Sequence, residues 1–63
     1  MSKYDWTNVP KEVNWIATDS DGYTFGYAEK PYNGGFCWYA LNPKHIKQTF
    51  DGNWKDSLEE RPK

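Results

Sequence analysis

A chain of 63 residues that carries four Trp, five Tyr and three Phe has more ring than interior. Each ring can bury roughly 150–250 Å², yet a domain of about this length hides only about 60% of the surface its unfolded form exposes. On volume grounds a close-packed core accommodates about five or six of the twelve, so the rest must lie at a surface. Exposed Tyr and Trp offer rigid contact area with one polar atom and are enriched where proteins meet partners. The surplus therefore points to an interface with a partner, a flat ligand or a second copy of the chain. The plainer alternative is that the extra rings only cover strand faces made of small residues.

Nothing in the sequence staples so small a fold. Cys37 is the single cysteine, which excludes an internal disulfide, and with His45, the single histidine, it falls short of the four ligands of a closed zinc site. No metal and no cofactor are expected. Self-association is expected, because a domain of this size without staples is marginally stable alone. Eight Lys or Arg against nine Asp or Glu give a net charge of −1. That balance argues against nucleic acid as a partner, since phosphate binding leans on clustered positive charge, and it is too mild for a mimic of DNA. No apolar run approaches the ~20 residues of a membrane span, and Met1-Ser2-Lys3-Tyr4-Asp5 opens no signal-peptide core. The reading is a soluble protein that stays in the cytoplasm, a compartment that a lone thiol suits.

Helical periodicity is poor and turn residues are dense, which predicts a mainly β, small α+β fold: a three- to four-stranded antiparallel meander closed by a short C-terminal helix. Residues 1–63 form one domain, with 1–12 a lead-in turn stopped at Pro10, 13–50 the sheet and 53–60 the helix. The first strand runs from Val13 toward Asp19. Asp19-Ser20-Asp21-Gly22 makes a hairpin turn, and the second strand sets Tyr23, Phe25 and Tyr27 on one face against Thr24, Gly26 and Ala28 on the other. Gly26 implies that something large, a ring or a ligand, lies against the backbone there. Lys30 to Gly35 reads as a second turn, Phe36 to Leu41 as a third strand, and His45 to Phe50 as a fourth with Ile46, Gln48 and Phe50 inward. Trp54 and Leu58, four residues apart, would share the inner face of the terminal helix.

Motifs for chemistry are scarce. Asp19-x-Asp21-Gly22 has the look of the middle of a calcium loop, but the flanking ligand positions are Ala17 and Ala28, so a hairpin turn is the better reading. Cys37 and His45 are the only conventional nucleophile and base. Nothing in their spacing joins them unless the third and fourth strands pair, and Cys37 between Phe36 and Trp38 reads as a small buried hydrophobe. Asp19 with Asp21 and Glu59 with Glu60 read as solvated charge rather than a catalytic pair. Gly34-Gly35 lacks the helix and the Lys-Ser/Thr of a phosphate cradle. No enzyme is expected.

The spaced pattern Asp5-Trp6-x-x-Val9-Pro10, Trp15-Ile16-Ala17-x-Asp19-x-Asp21-Gly22, Lys30-Pro31 before Trp38, and Trp54-Lys55-x-Ser57-Leu58-x-x-Arg61-Pro62 spans nearly the whole chain. It resembles a group of very short accessory proteins of tailed bacteriophages that have no assigned activity, so no functional residue carries over. The resemblance implies expression in an infected bacterium. By analogy it implies a non-catalytic protein that blocks a host protein, such as an antiviral defence component, through an aromatic surface. The alternatives are a protein that sequesters a small ligand such as a nucleotide signal, and a minor virion structural protein. The candidate binding residues are Tyr23, Tyr27, Tyr32 and Trp38, with Lys30 as a polar contact.

Overall fold

The computed structural model describes residues 2–63, so Met1 of the expected lead-in lies outside the described residues. The chain is mainly β, with six short strands in two antiparallel sheets. These are β1 (Trp15–Thr18), β2 (Thr24–Tyr27), β3 (Tyr32–Asn33), β4 (Trp38–Tyr39), β5 (Lys44–Ile46) and β6 (Glu59–Glu60). The larger sheet has the order β5-β2-β1-β6, and β3 pairs only with β4. The expected meander holds for the first hairpin and then fails. Strand β5 returns to the far side of β2 instead of following β4, and the last strand crosses to the free side of β1.

The β1–β2 turn follows the predicted chemistry. Asp19 N–H donates to Tyr23 O, Gly22 N–H donates to Asp19 O, and Gly22 takes a φ of 93°, which its missing Cβ permits. Cross-strand register then places Ile16 opposite Gly26 and Thr18 opposite Thr24, with Ile46 beyond Thr24. This face, built from small and β-branched residues, is the deep one. It is closed largely by the segment before β1, rings included: Tyr4, Val9 and Val13 are buried with Ile16 and Ile46, and Trp6 and Phe50 pack at the margin. The lead-in thus supplies much of the core. At Gly26 the close neighbour is Val13, whose Cγ1 would lie 2.7 Å from an added Cβ, with Ile46 Cδ1 at 3.3 Å. The expectation of a ring or ligand at that backbone is corrected to an aliphatic contact within the chain.

Hydroxyls complete the interior. Tyr4 OH and Thr18 Oγ1 are 2.8 Å apart, Thr18 Oγ1 and Thr24 Oγ1 2.7 Å apart, and all three residues are buried. Burial raises the Tyr4 phenol pKa against the opposing hydrogen bonds from Thr18 and Ser57. Ser57, fully buried, accepts the Thr18 N–H at 2.8 Å and lies 3.0 Å from Thr18 O and 2.6 Å from Trp54 O, the acceptors its one proton can serve. That hydroxyl explains why the predicted helix over 53–60 is absent. The chain makes only a 3-10 turn at Trp54–Asp56, with Asn53 Oδ1 accepting from Lys55 N–H. Ser57 then binds β1 through its side chain, which lets Glu59 and Glu60 run on as a strand opposite Ile16 and Trp15. Ser57→Ala removes a buried partner of the Thr18 amide, so urea denaturation is expected to show a loss of about 1–3 kcal/mol.

The C-terminus also ties down the lead-in. Arg61 donates from Nε to Val13 O and from a terminal nitrogen to Pro10 O, with its guanidinium carbon 4.9 Å from the Trp6 ring centre. Trp6 Nε1 donates to Glu59 at 2.7 Å. No helix among the described residues is long and apolar enough to cross a membrane.

Candidate functional site

Two expected boundaries move in the middle of the chain, and together they make the candidate site. The segment Lys30 to Gly35, expected as a turn, contains β3, and the expected third strand over 36–41 shrinks to β4. Tyr32 pairs with Tyr39 and Asn33 with Trp38, while Gly34 N–H donates to Cys37 O. Gly35 and Phe36 are left as a two-residue loop. Gly35, at the first loop position with φ 102°, has the backbone that a type II′ turn demands there, and Asn33 Oδ1 accepts its N–H. Phe36 is thereby placed at the hairpin tip, 81% exposed.

Paired residues on a hairpin share a face. The face with Trp38 turns inward. Its indole Nε1 donates to Thr18 O at 3.1 Å, its backbone N–H donates to Asp19 Oδ1 at 2.9 Å, and its ring meets Trp54 edge to face at 6.1 Å. Tyr27 OH donates to Trp38 O, and Ser20 donates to Phe36 O from both its backbone N–H and its hydroxyl. The opposite face turns outward. Tyr32 and Tyr39, 68% and 48% exposed, set their rings 5.7 Å apart at an interplanar angle of 40°. The Tyr39 ring also lies across Gly34, where a Cβ would overlap Cε2, so the glycine gives the ring a flat bed. A hydrogen bond with Cys37 holds the Tyr39 phenol pKa above its ordinary range, the charge of a Cys37 thiolate adding to the effect. Leu41, 78% exposed, follows β4. From Pro31 to Pro43 no residue is charged or a histidine, in a chain where Asp, Glu, Lys and Arg make up 27%.

The five candidate binding residues separate. Tyr32 is on the outward face. Trp38 is half-buried and anchors the hairpin from its inner side. Tyr27 is corrected to a core residue: it is 2% exposed, and burial, reinforced by the charges of Asp19 and Cys37, drives its phenol pKa far above the ordinary value. Tyr23, Phe25 and Tyr27 do not form one open surface: the hairpin covers the Tyr27 end and leaves Tyr23, in the turn before β2, 59% exposed. Lys30 is exposed and sets its ammonium 5.6 Å from the Trp15 ring centre, outside the hairpin face. Phe36, Tyr39 and Leu41, outside the expected set, are exposed as well. The uncharged stretch around Gly34-Gly35 is the signal that marks them.

Cys37, in the bend just before β4, and His45, on β5, are not brought together by strand pairing, because β5 pairs with β2 and not with β4. The imidazole sits by Tyr23 and Phe25, the thiol by Tyr39. Among the described residues no group of three or more His, Cys, Asp or Glu side chains is placed to hold a metal ion. Asp19, the acceptor for the Trp38 amide, has its carboxyl pKa raised by partial burial, against the Trp38 hydrogen bond and with help from the charge of Asp21. A raised folded-state pKa adds stability that is complete below the ordinary value of 3.8 and fades as the pH climbs through the folded value. Asp19→Asn keeps the acceptor without the charge. Relative to this variant, wild type is expected to gain stability on acidification from neutral pH toward 3.8, read from urea midpoints along a pH series.

No protein-family model matches the chain, and neither a curated protein nor a solved structure gives a match.

Proposed function

We propose that this chain is a non-catalytic binding protein, of bacteriophage origin and acting in the host cytoplasm, that blocks a host protein by docking the outward face of the β3–β4 hairpin. An antiviral defence component is the class of target that such a phage protein would engage. The observation that carries the reading is a charge-free segment from Pro31 to Pro43 that holds Tyr32, Phe36, Tyr39 and Leu41 in solvent on a hairpin pinned from behind by Trp38. Interface centres are depleted in charge and enriched in aromatic anchors, and anchors held in place before binding lose little rotamer entropy. A phosphate backbone would find no cation on this face, which favours protein over nucleic acid.

Affinity purification from bacterial lysate tests it. A tagged wild-type chain and the Lys11→Ala control are expected to retain one host protein in stoichiometric amount, and a Tyr32→Ala/Tyr39→Ala double variant to lose it. If nothing specific is retained, or retention survives loss of both rings, the reading fails. A second copy of the chain is the rival occupant of the same face. Sedimentation velocity separates the two: a dimer dissociated by Tyr32→Ala gives the face to self-association, and a monomer leaves it to the host protein.

A further inference from the structure

A recess lies along the edge strand β5 and shares no residue with the hairpin. It is shallow and widely open to solvent, with a volume of about 460 Å³. One wall is aromatic. The Tyr23 ring stands 6.2 Å from the His45 imidazole, centre to centre, and the Phe25 ring meets the imidazole edge-on at 5.8 Å. Ile46, Lys47 and Thr49 also line it, and at Gly22 the lining carries no side chain. Gln48 is held rigid there, because its amide exchanges two hydrogen bonds with the backbone of Asp5.

The charge in the cleft has one sign. No acidic residue lines it, and Lys47 has no salt-bridge partner among the described residues, whereas Lys44 on the same strand is paired with Glu12. Asp21, next to Gly22, is turned onto the backbone, where Oδ1 accepts the Tyr23 N–H. An exposed ring offers stacking to a flat heterocycle. Lys47, Thr49 and His45 line the same recess, and an ammonium, a hydroxyl and an imidazole are groups that suit an anionic oxygen group such as phosphate. We infer that the Tyr23–His45–Lys47 cleft is a binding site for a nucleoside monophosphate, with the base against Tyr23 and the phosphate toward Lys47. This site is independent of the hairpin, so either reading can stand or fall without the other.

The test is a titration of isotope-labelled protein with AMP, followed by amide and imidazole NMR signals, with adenosine and inorganic phosphate as separate arms. Saturable shifts are expected at Gly22, Tyr23, His45 and Lys47, with adenosine and phosphate each binding at least about tenfold more weakly than AMP. Lys47→Ala and Tyr23→Ala should each weaken AMP by about tenfold while the melting curve is preserved. Should Tyr23→Ala not fold, Lys47→Ala carries the comparison alone. The assignment is overturned if AMP at about millimolar concentration gives no saturable shift, if adenosine or phosphate matches AMP, if the shifts centre on 32–39, or if Lys47→Ala binds AMP as wild type does.

Discussion

Tyr27→Ala is expected to leave most of the population unfolded at room temperature, whereas Tyr23→Ala keeps the fold within about 1 kcal/mol of wild-type stability. Tyr27 is 2% exposed and its hydroxyl holds Trp38 O, so truncation opens a cavity and removes a link between the two sheets. Deleting a buried aromatic side chain costs about 3–5 kcal/mol, and the core of a domain this small supplies only about 3–5 kcal/mol in total. Tyr23 is 59% exposed and its ring contact is with His45, on an exposed edge strand. Surface truncations of that kind change stability little. Circular dichroism melts of the two variants decide the matter. A folded, cooperative Tyr27→Ala protein would show that the hairpin is not packed as described.

The second large effect concerns Trp38. Its side chain is only half-buried, yet it gives the hairpin an indole hydrogen bond to Thr18 and an edge-on contact with Trp54. Trp38→Ala removes both and should cost about 2–3 kcal/mol, less than a fully buried ring. Freed from its anchor, the hairpin keeps every outward ring but loses their fixed placement, so partner affinity should fall as well. Tyr32→Ala, Phe36→Ala and Tyr39→Ala should cost affinity without a comparable loss of stability. Stability and affinity falling together at Trp38, and separately at the outer rings, is the signature of an anchored display.

The strands that alternate cleanly were legible in the sequence, and those that borrow their partners were not. Val13 to Asp19, the Asp19-to-Gly22 turn and Thr24 to Tyr27 gave the first hairpin because turn chemistry and period-two patterning agree there. The terminal strand was hidden by local helix formers, since its course is set by the Ser57 hydroxyl reaching Thr18 across 39 positions of sequence. The segment Tyr4 to Val13 reads as polar and turn-rich, and nothing local reveals that Tyr4, Val9 and Val13 join Ile16 and Ile46 in the core, with Val13 against Gly26. The count of rings did forecast a surface excess: only Tyr4 and Tyr27 are buried, six are half-buried, and Tyr23, Tyr32, Phe36 and Tyr39 are exposed. Which rings these would be depended on the Tyr32–Tyr39 register, which Gly34 and Gly35 set and which a reading of Lys30 to Gly35 as a turn obscured.

The residues of the spaced Asp5-to-Pro62 pattern mostly hold the scaffold. Trp6 meets Glu59 and Arg61, Asp19 meets Trp38, Trp54 meets Trp38, and Ser57 meets Thr18. The outward rings fall between those positions. Spaced aromatics and turns thus fix the frame, and the hairpin face stays exposed.

Isothermal titration of the retained host protein against wild type and Tyr39→Ala tests the hairpin face most directly. The ring rests on Gly34 and beside Tyr32 without entering the core, so its loss should weaken binding by about 2 kcal/mol, roughly thirtyfold, while the melting curve stays put. Equal affinities for the two proteins would show that the partner docks elsewhere.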